Sequence, residues 1–199
     1  MTNPPTTNPL KKLLGGRNLF LIGMMGSGKS STGYPLAKKL EYGFVDTDSV
    51  IEKVSAKSIK QIFHEDGEKN FRTIESQVLH AIGHHHSLVV ATGGGLVTNP
   101  ENWGTLHLGI VIWLNPSLNQ LFKRLEVDPN QRPLLNQEDP KRTLRELMDN
   151  RKKFYVESDL ELQVNEMQTP SEVANNILEK LPSIITTPEV PIALQTTEE

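Results

Sequence analysis

At 199 residues, with 36% hydrophobic and 23% charged content, the chain suits one domain with a buried core, and division in two would leave both halves thin. A formal charge of −3 and a pI near 6.1 give no overall positive field for nucleic acid or an anionic membrane, so an anion site must be assembled locally. There is no cysteine, which excludes disulfides, thiolate metal sites and cysteine nucleophiles, and no apolar run approaches the roughly 18 residues of a spanning helix.

The opening MTNPPTTNP has neither a charged start followed by an apolar block nor an Arg-rich amphipathic pattern, so residues 1–16 are expected to form a flexible arm. The domain is expected over 17–182. Asn18 to Ile22 (NLFLI) is an apolar run ending at glycine, and Lys29 to Leu40 has helical composition, interrupted by Pro35 where a bend is expected. Phe44 to Asp46 gives a second strand. Ser58 followed by Gln61 before Ile62 and Phe63 has the pattern of a capping box, so a helix should follow Ser58.

Leu88 to Ala91 and Ile110 to Leu114 are unbroken apolar runs, as in strands buried on both faces. Helical stretches are expected around Glu68 to Ile82, Ser117 to Leu125, Pro140 to Lys153 and Ser171 to Leu181, with Leu160 to Val164 as the last strand. This βαβα order predicts an α/β fold with a parallel sheet between helical layers, ligands collecting outside the carboxyl ends of the strands. Val127 to Asp139, with two prolines and many polar groups, breaks the alternation and is expected to be a mobile lid. From Ser183 to Glu199 no periodicity survives, which predicts a disordered tail.

Gly23 to Ser30 (GMMGSGKS) matches G-x-x-x-x-G-K-[ST] between a strand and a helix. Its glycines let successive backbone N–H groups wrap ATP phosphates, with Gly26, Ser27, Gly28, Lys29, Ser30 and Ser31 forming the cradle. Lys29 is expected along the β- and γ-phosphates and the Ser30 hydroxyl on Mg²⁺. A P-loop alone does not choose among motors, GTPases and the various kinases.

Further along, Asp46 and Asp48 stand at i and i+2, which on an extended segment places both carboxylates on one side. Arg72 and Glu75 are i,i+3 neighbours on a helix, and Thr92-Gly93-Gly94-Gly95 lets a ligand approach the backbone closely. Taken in order, GMMGSGKSS, VDTDSVIE, FxExGExxFRxxE, TGGG, RPLL and RxxxY resemble the shikimate kinase family, over about Asn18 to Leu181. The resemblance implies a three-layer P-loop kinase fold with a five-stranded parallel sheet and a lid. It also implies phosphorylation of the shikimate 3-hydroxyl by ATP with one Mg²⁺, a step toward aromatic amino acids.

By the same resemblance, Asp48, Arg72, Gly94 and Arg151 hold shikimate, Asp46 joins Ser30 at the metal through water, and Arg132 is the lid arginine. Lys29, Asp48 and Arg132 are then the catalytic set. Guanidinium forks suit a ring carboxylate, and an aspartate accepts from vicinal hydroxyls. Where the family often has an arginine or lysine against adenine this chain has Gln168, while Arg124 reads equally as an adenine contact or as a helix C-terminal cation. Arg142 and Arg145 are expected to pair with Glu146 or Asp149, and His84-His85-His86 lacks the i,i+4 spacing of a helical metal pair. The expected partners are shikimate and ATP alone, with no nucleic acid or membrane, for a cytoplasmic monomer. A gluconate kinase, or a non-catalytic regulator on the same fold, are the competing readings.

Overall fold

The computed structural model describes residues 9–126 and 139–185. Helix α1 (Pro9–Leu14) precedes the wholly buried strand β1 (Leu19–Ile22), and the P-loop leads into α2 (Lys29–Leu40). Strand β2 (Gly43–Asp46) is followed by α3 (Thr47–Ser55), α4 (Ile59–Glu65) and α5 (Gly67–Gly83). Strand β3 (Leu88–Ala91), a 3-10 turn at Leu96–Thr98 and α6 (Pro100–Leu106) lead to β4 (Ile110–Pro116) and α7 (Leu118–Glu126). The last elements are α8 (Pro140–Tyr155), β5 (Leu160–Val164) and α9 (Pro170–Ile184).

All five strands are parallel, in the order β2-β3-β1-β4-β5. Leu21 of β1 sits opposite Ala91 of β3 and Ile112 of β4, so the strand that feeds the P-loop lies at the centre. Alternate residues face opposite cores. Phe20, Ile22, Val90, Val111 and Trp113 join Ile51, Phe71, Leu79 and Tyr155 on one face, while Leu19, Leu21, Val89 and Ile112 join Leu36, Leu40, Ile177 and Leu181 on the other. Apolar residues at both parities explain the unbroken runs in the sequence and give three layers. Because β1 connects toward β2 while β3 connects toward β4, the chain diverges between β1 and β3, and the crevice at their carboxyl ends is the expected ligand position.

Three expectations are corrected. Residues 9–14, assigned to a flexible arm, form α1, with Leu14 fully buried in the core that contains α9, so Leu10 and Leu14 at i,i+4 anchor the segment. At the other end, α9 runs past 182 to Ile184, and Ile185 is buried. The two carboxylates do not share an extended segment: β2 stops at Asp46, whose side chain caps α3, and Asp48 lies in that helix's first turn. Helix α2 continues through Pro35, and Ser58 and Gln61 form the expected capping box. The lid segment 127–138, including Arg132, and residues 186–199 lie outside the described residues.

Candidate active site

Gly28, with φ 94°, occupies the left-handed region immediately before α2, a conformation that turns the loop so that the helix N-terminus faces inward. Lys29, the first residue of α2, is buried, and its Nζ donates to the carbonyls of Gly23 and Met24, each at 2.8 Å, and to Ser27 Oγ at 3.3 Å. The ammonium is thus held inside the curl of its own loop. One turn of chemistry away, Ser30 Oγ donates to Asp46 Oδ2 at 2.5 Å, while Asp46 Oδ1 accepts from the amides of Asp48 (3.0 Å) and Ser49 (3.4 Å). A hydroxyl and a carboxylate, brought together from the starts of α2 and α3, make a hard oxygen donor set that fits Mg²⁺.

Across the crevice, Thr92 Oγ1 donates to the Leu21 carbonyl at 2.9 Å, tying the end of β3 to β1, and the Gly93 amide donates to Thr47 Oγ1 at 3.0 Å. Gly94 packs directly on the P-loop: a Cβ there would stand 3.1 Å from the Met25 nitrogen and 3.4 Å from the Gly23 oxygen. Its carbonyl accepts from the Tyr155 hydroxyl at 2.7 Å and from Arg151 Nη1 at 3.3 Å. Tyr155 also touches Met24 Sδ at 3.6 Å and stacks on Trp113, and burial pushes its hydroxyl pKa up to about 12, so it acts only as a neutral donor.

Arg72 reaches the same loop from α5, with Nη1 on Glu75 Oε2 at 2.7 Å and Nη2 on Glu68 Oε1 at 3.1 Å. Glu75 is 1% exposed, and its Oε1 has no hydrogen-bond partner. Burial raises the pKa of this carboxyl, Arg72 opposes the shift, and the nearby charge of Asp48 adds to it.

A cavity of 490 Å³ runs from Met25 and the cradle residues Gly26 to Ser31 past Asp46 to Arg124, Gln168 and Pro170. A second hollow is lined by Phe63, Arg72, Glu75, Gly95 and Arg151, and it shares Met25, Asp48 and Gly94 with the first. All the site residues singled out in the sequence that fall among the described residues therefore meet in two adjoining spaces. Arg124 stands in the last turn of α7 and lines the first of them, and its Nη1 donates to the Gly26 carbonyl at 3.1 Å, bracing the P-loop. Gln168 lines the far end, its Oε1 accepting from the Asn165 amide at 2.8 Å. Sequence reasoning passed over Thr47 as a brace and Val164 and Pro170 as an apolar wall, although Pro170 at the start of α9 was visible as a helix N1 proline.

A parallel sheet whose central strand ends in a P-loop, facing an arginine-lined pocket across a glycine turn, defines a P-loop phosphotransferase with a small anionic acceptor. The family model for shikimate kinase matches residues 25–182. The chain is 55% identical to the shikimate kinase of Prochlorococcus marinus strain MIT 9313 over 188 residues, 94% of this chain and 97% of that relative. It is 48% identical to the shikimate kinase of Trichormus variabilis over 176 residues, 88% of this chain and 97% of that relative. A shikimate kinase from Acinetobacter baumannii in complex with shikimate has the same fold with TM-score 0.82 at 34% identity, covering 88% of this chain and 98% of that one. A gluconokinase from Sinorhizobium meliloti, at TM-score 0.54 and 14% identity over 85% of this chain and 94% of that one, shares the fold alone. The chain belongs to the shikimate kinase family, as its ordered motifs implied.

Proposed function

We propose that this chain transfers the γ-phosphoryl group of ATP to the 3-hydroxyl of shikimate, giving shikimate 3-phosphate and ADP. The observation that carries the assignment of residues is the meeting of the phosphate cavity and the arginine-lined hollow at Met25, Asp48 and Gly94. ATP phosphates lie along Gly26 to Ser31, with Gln168 and Pro170 toward the base. Shikimate lies between Asp48, Arg72, Gly94 and Arg151. The two guanidinium groups clamp its carboxylate, Asp48 accepts from ring hydroxyls, and the Gly94 amide donates at close range.

The 3-hydroxyl oxygen forms a bond to the γ-phosphorus as the bond to the bridging oxygen breaks, and that oxygen leaves on ADP. The hydroxyl proton passes to the Asp48 carboxylate, late, because the transition state of such transfers is loose. Catalysis rests on alignment and on charge. Lys29 turns from the Gly23 and Met24 carbonyls to the β- and γ-phosphates, and Arg132 adds positive charge from the segment 127–138. Ser30 and Asp46 hold the divalent metal, Mg²⁺, which supplies neutralisation of the phosphate oxygens. Glu75 does not reach the reacting atoms in this scheme; it fixes the fork of Arg72. The setting is cytoplasmic, with which a cysteine-free sequence accords, and the working unit is a monomer.

The test is ADP release with ATP and Mg²⁺ against shikimate, quinate and gluconate. Turnover should be confined to shikimate or greatest with it. Activity with gluconate alone, or with none of the three, refutes the assignment.

A further inference from the structure

His84, His85 and His86 diverge as consecutive residues, but His80 stands four positions before His84, on the same face at the end of α5. Both side chains are exposed. Their Nε2 atoms lie 3.3 Å apart, with ring centroids at 4.8 Å and planes at 83°. Two imidazole nitrogens bound to one tetrahedral ion at about 2.0–2.1 Å stand about 3.3–3.4 Å from each other. The pair therefore already has the bite of a single metal ion. The C-terminal end of a 17-residue helix adds a negative dipole end that favours a cation at this position.

We infer that His80 and His84 form a bidentate surface site for a borderline divalent cation such as Zn²⁺, with Cu²⁺ bound more tightly. Water completes the coordination, because among the described residues no third histidine, aspartate or glutamate joins them. In the metal-free pair one Nε2–H donates to the other Nε2; on binding, that ring's proton moves to Nδ1 through solvent, so that both Nε2 lone pairs face the ion. Protonation of either ring competes with the metal. Mg²⁺, a hard ion that prefers oxygen, is not a ligand for this pair, so the site is chemically separate from the one at Ser30 and Asp46. The ion staples the last turn of α5, the helix whose first half carries Arg72 and Glu75.

The site is tested by calorimetric titration of the full chain with ZnCl₂ near neutral pH, with MgCl₂ as control. One Zn²⁺ per chain is expected. His80→Gln and His84→Gln should each weaken it by more than about tenfold, as loss of a direct ligand requires, whereas the His85→Gln/His86→Gln double variant should bind like the parent. Zn²⁺ should also raise the melting temperature of the parent and not of His80→Gln, while turnover with Mg²⁺ and ATP stays unchanged in every variant. Absence of Zn²⁺ binding in the parent, binding that survives in the His80→Gln/His84→Gln double variant, or binding lost only with His85 and His86 would each overturn the assignment.

Discussion

Asp46 divides its carboxylate between two tasks: Oδ1 caps α3, and Oδ2 meets the Ser30 hydroxyl. Asp48, held in the first turn of α3, lines the second hollow, where the acceptor is proposed to lie. Asp48→Asn should lower turnover by at least about a hundredfold, the scale of a lost proton acceptor, while the fold persists; near-normal kcat with shikimate would remove the proton from Asp48. Tyr155 lines neither of the two spaces and acts on the proposed site through Gly94. Loss of its hydroxyl hydrogen bond to Gly94 is worth about 0.5–1.5 kcal/mol, so Tyr155→Phe should raise the shikimate KM roughly two- to tenfold, with the ATP KM little changed. A change in thermal stability alone would reduce Tyr155 to a packing residue. Glu75 gives a pH signature. Its carboxyl pKa is raised on folding, so the folded state binds more protons than the unfolded one, and stability from this group is lost as pH rises above the ordinary range near 4.3. Melting curves across acid pH should show Glu75→Gln gaining on the parent as pH rises through that window.

Elements were legible from sequence where the signal was local. The capping box at Ser58, the strand Leu160–Val164 and the helix following Lys29 each rest on a few neighbouring residues. Helix α3 was missed although Asp46 is a residue type favoured at an N-cap, and its capping hydrogen bonds show where the helix begins. Helix α6 was missed although Asn99-Pro100 is a sound start, an N-cap followed by proline at N1. Helix α1 was hidden by the proline- and threonine-rich residues before it, and its worth depends on a long-range partner, α9. Leu14→Ala should therefore destabilise the protein by about 2–5 kcal/mol, as deletion of a buried leucine does. Denaturant unfolding with no change would restore the description of this segment as a free arm.

At the scale of the molecule, the proposed phosphate cradle is one stretch, Gly26 to Ser31, whereas the proposed acceptor site draws on Asp48, Arg72, Gly94 and Arg151 from four separate segments. This is why the P-loop could be read from its own residues and the acceptor only from the order of all motifs together. The braces, Thr47 to Gly93 and Tyr155 to Gly94, join residues 46 and 61 positions apart and leave no mark in local pattern. Gly94 lies against the P-loop backbone, so the two halves share a wall. Gly94→Ala should raise the KM of both substrates, in contrast to Tyr155→Phe; an effect on shikimate alone would show that the wall transmits nothing. The position of Lys29 has a consequence for how an anion enters the loop. With its ammonium already solvated by two main-chain carbonyls, the loop holds no unpaired buried cation waiting for an anion. An anion that draws the ammonium away replaces two neutral dipoles with a full charge, and the amides at the helix N-terminus receive it as well. Phosphate binding at this loop is thus an exchange of partners for Lys29 rather than the pairing of an orphan ion.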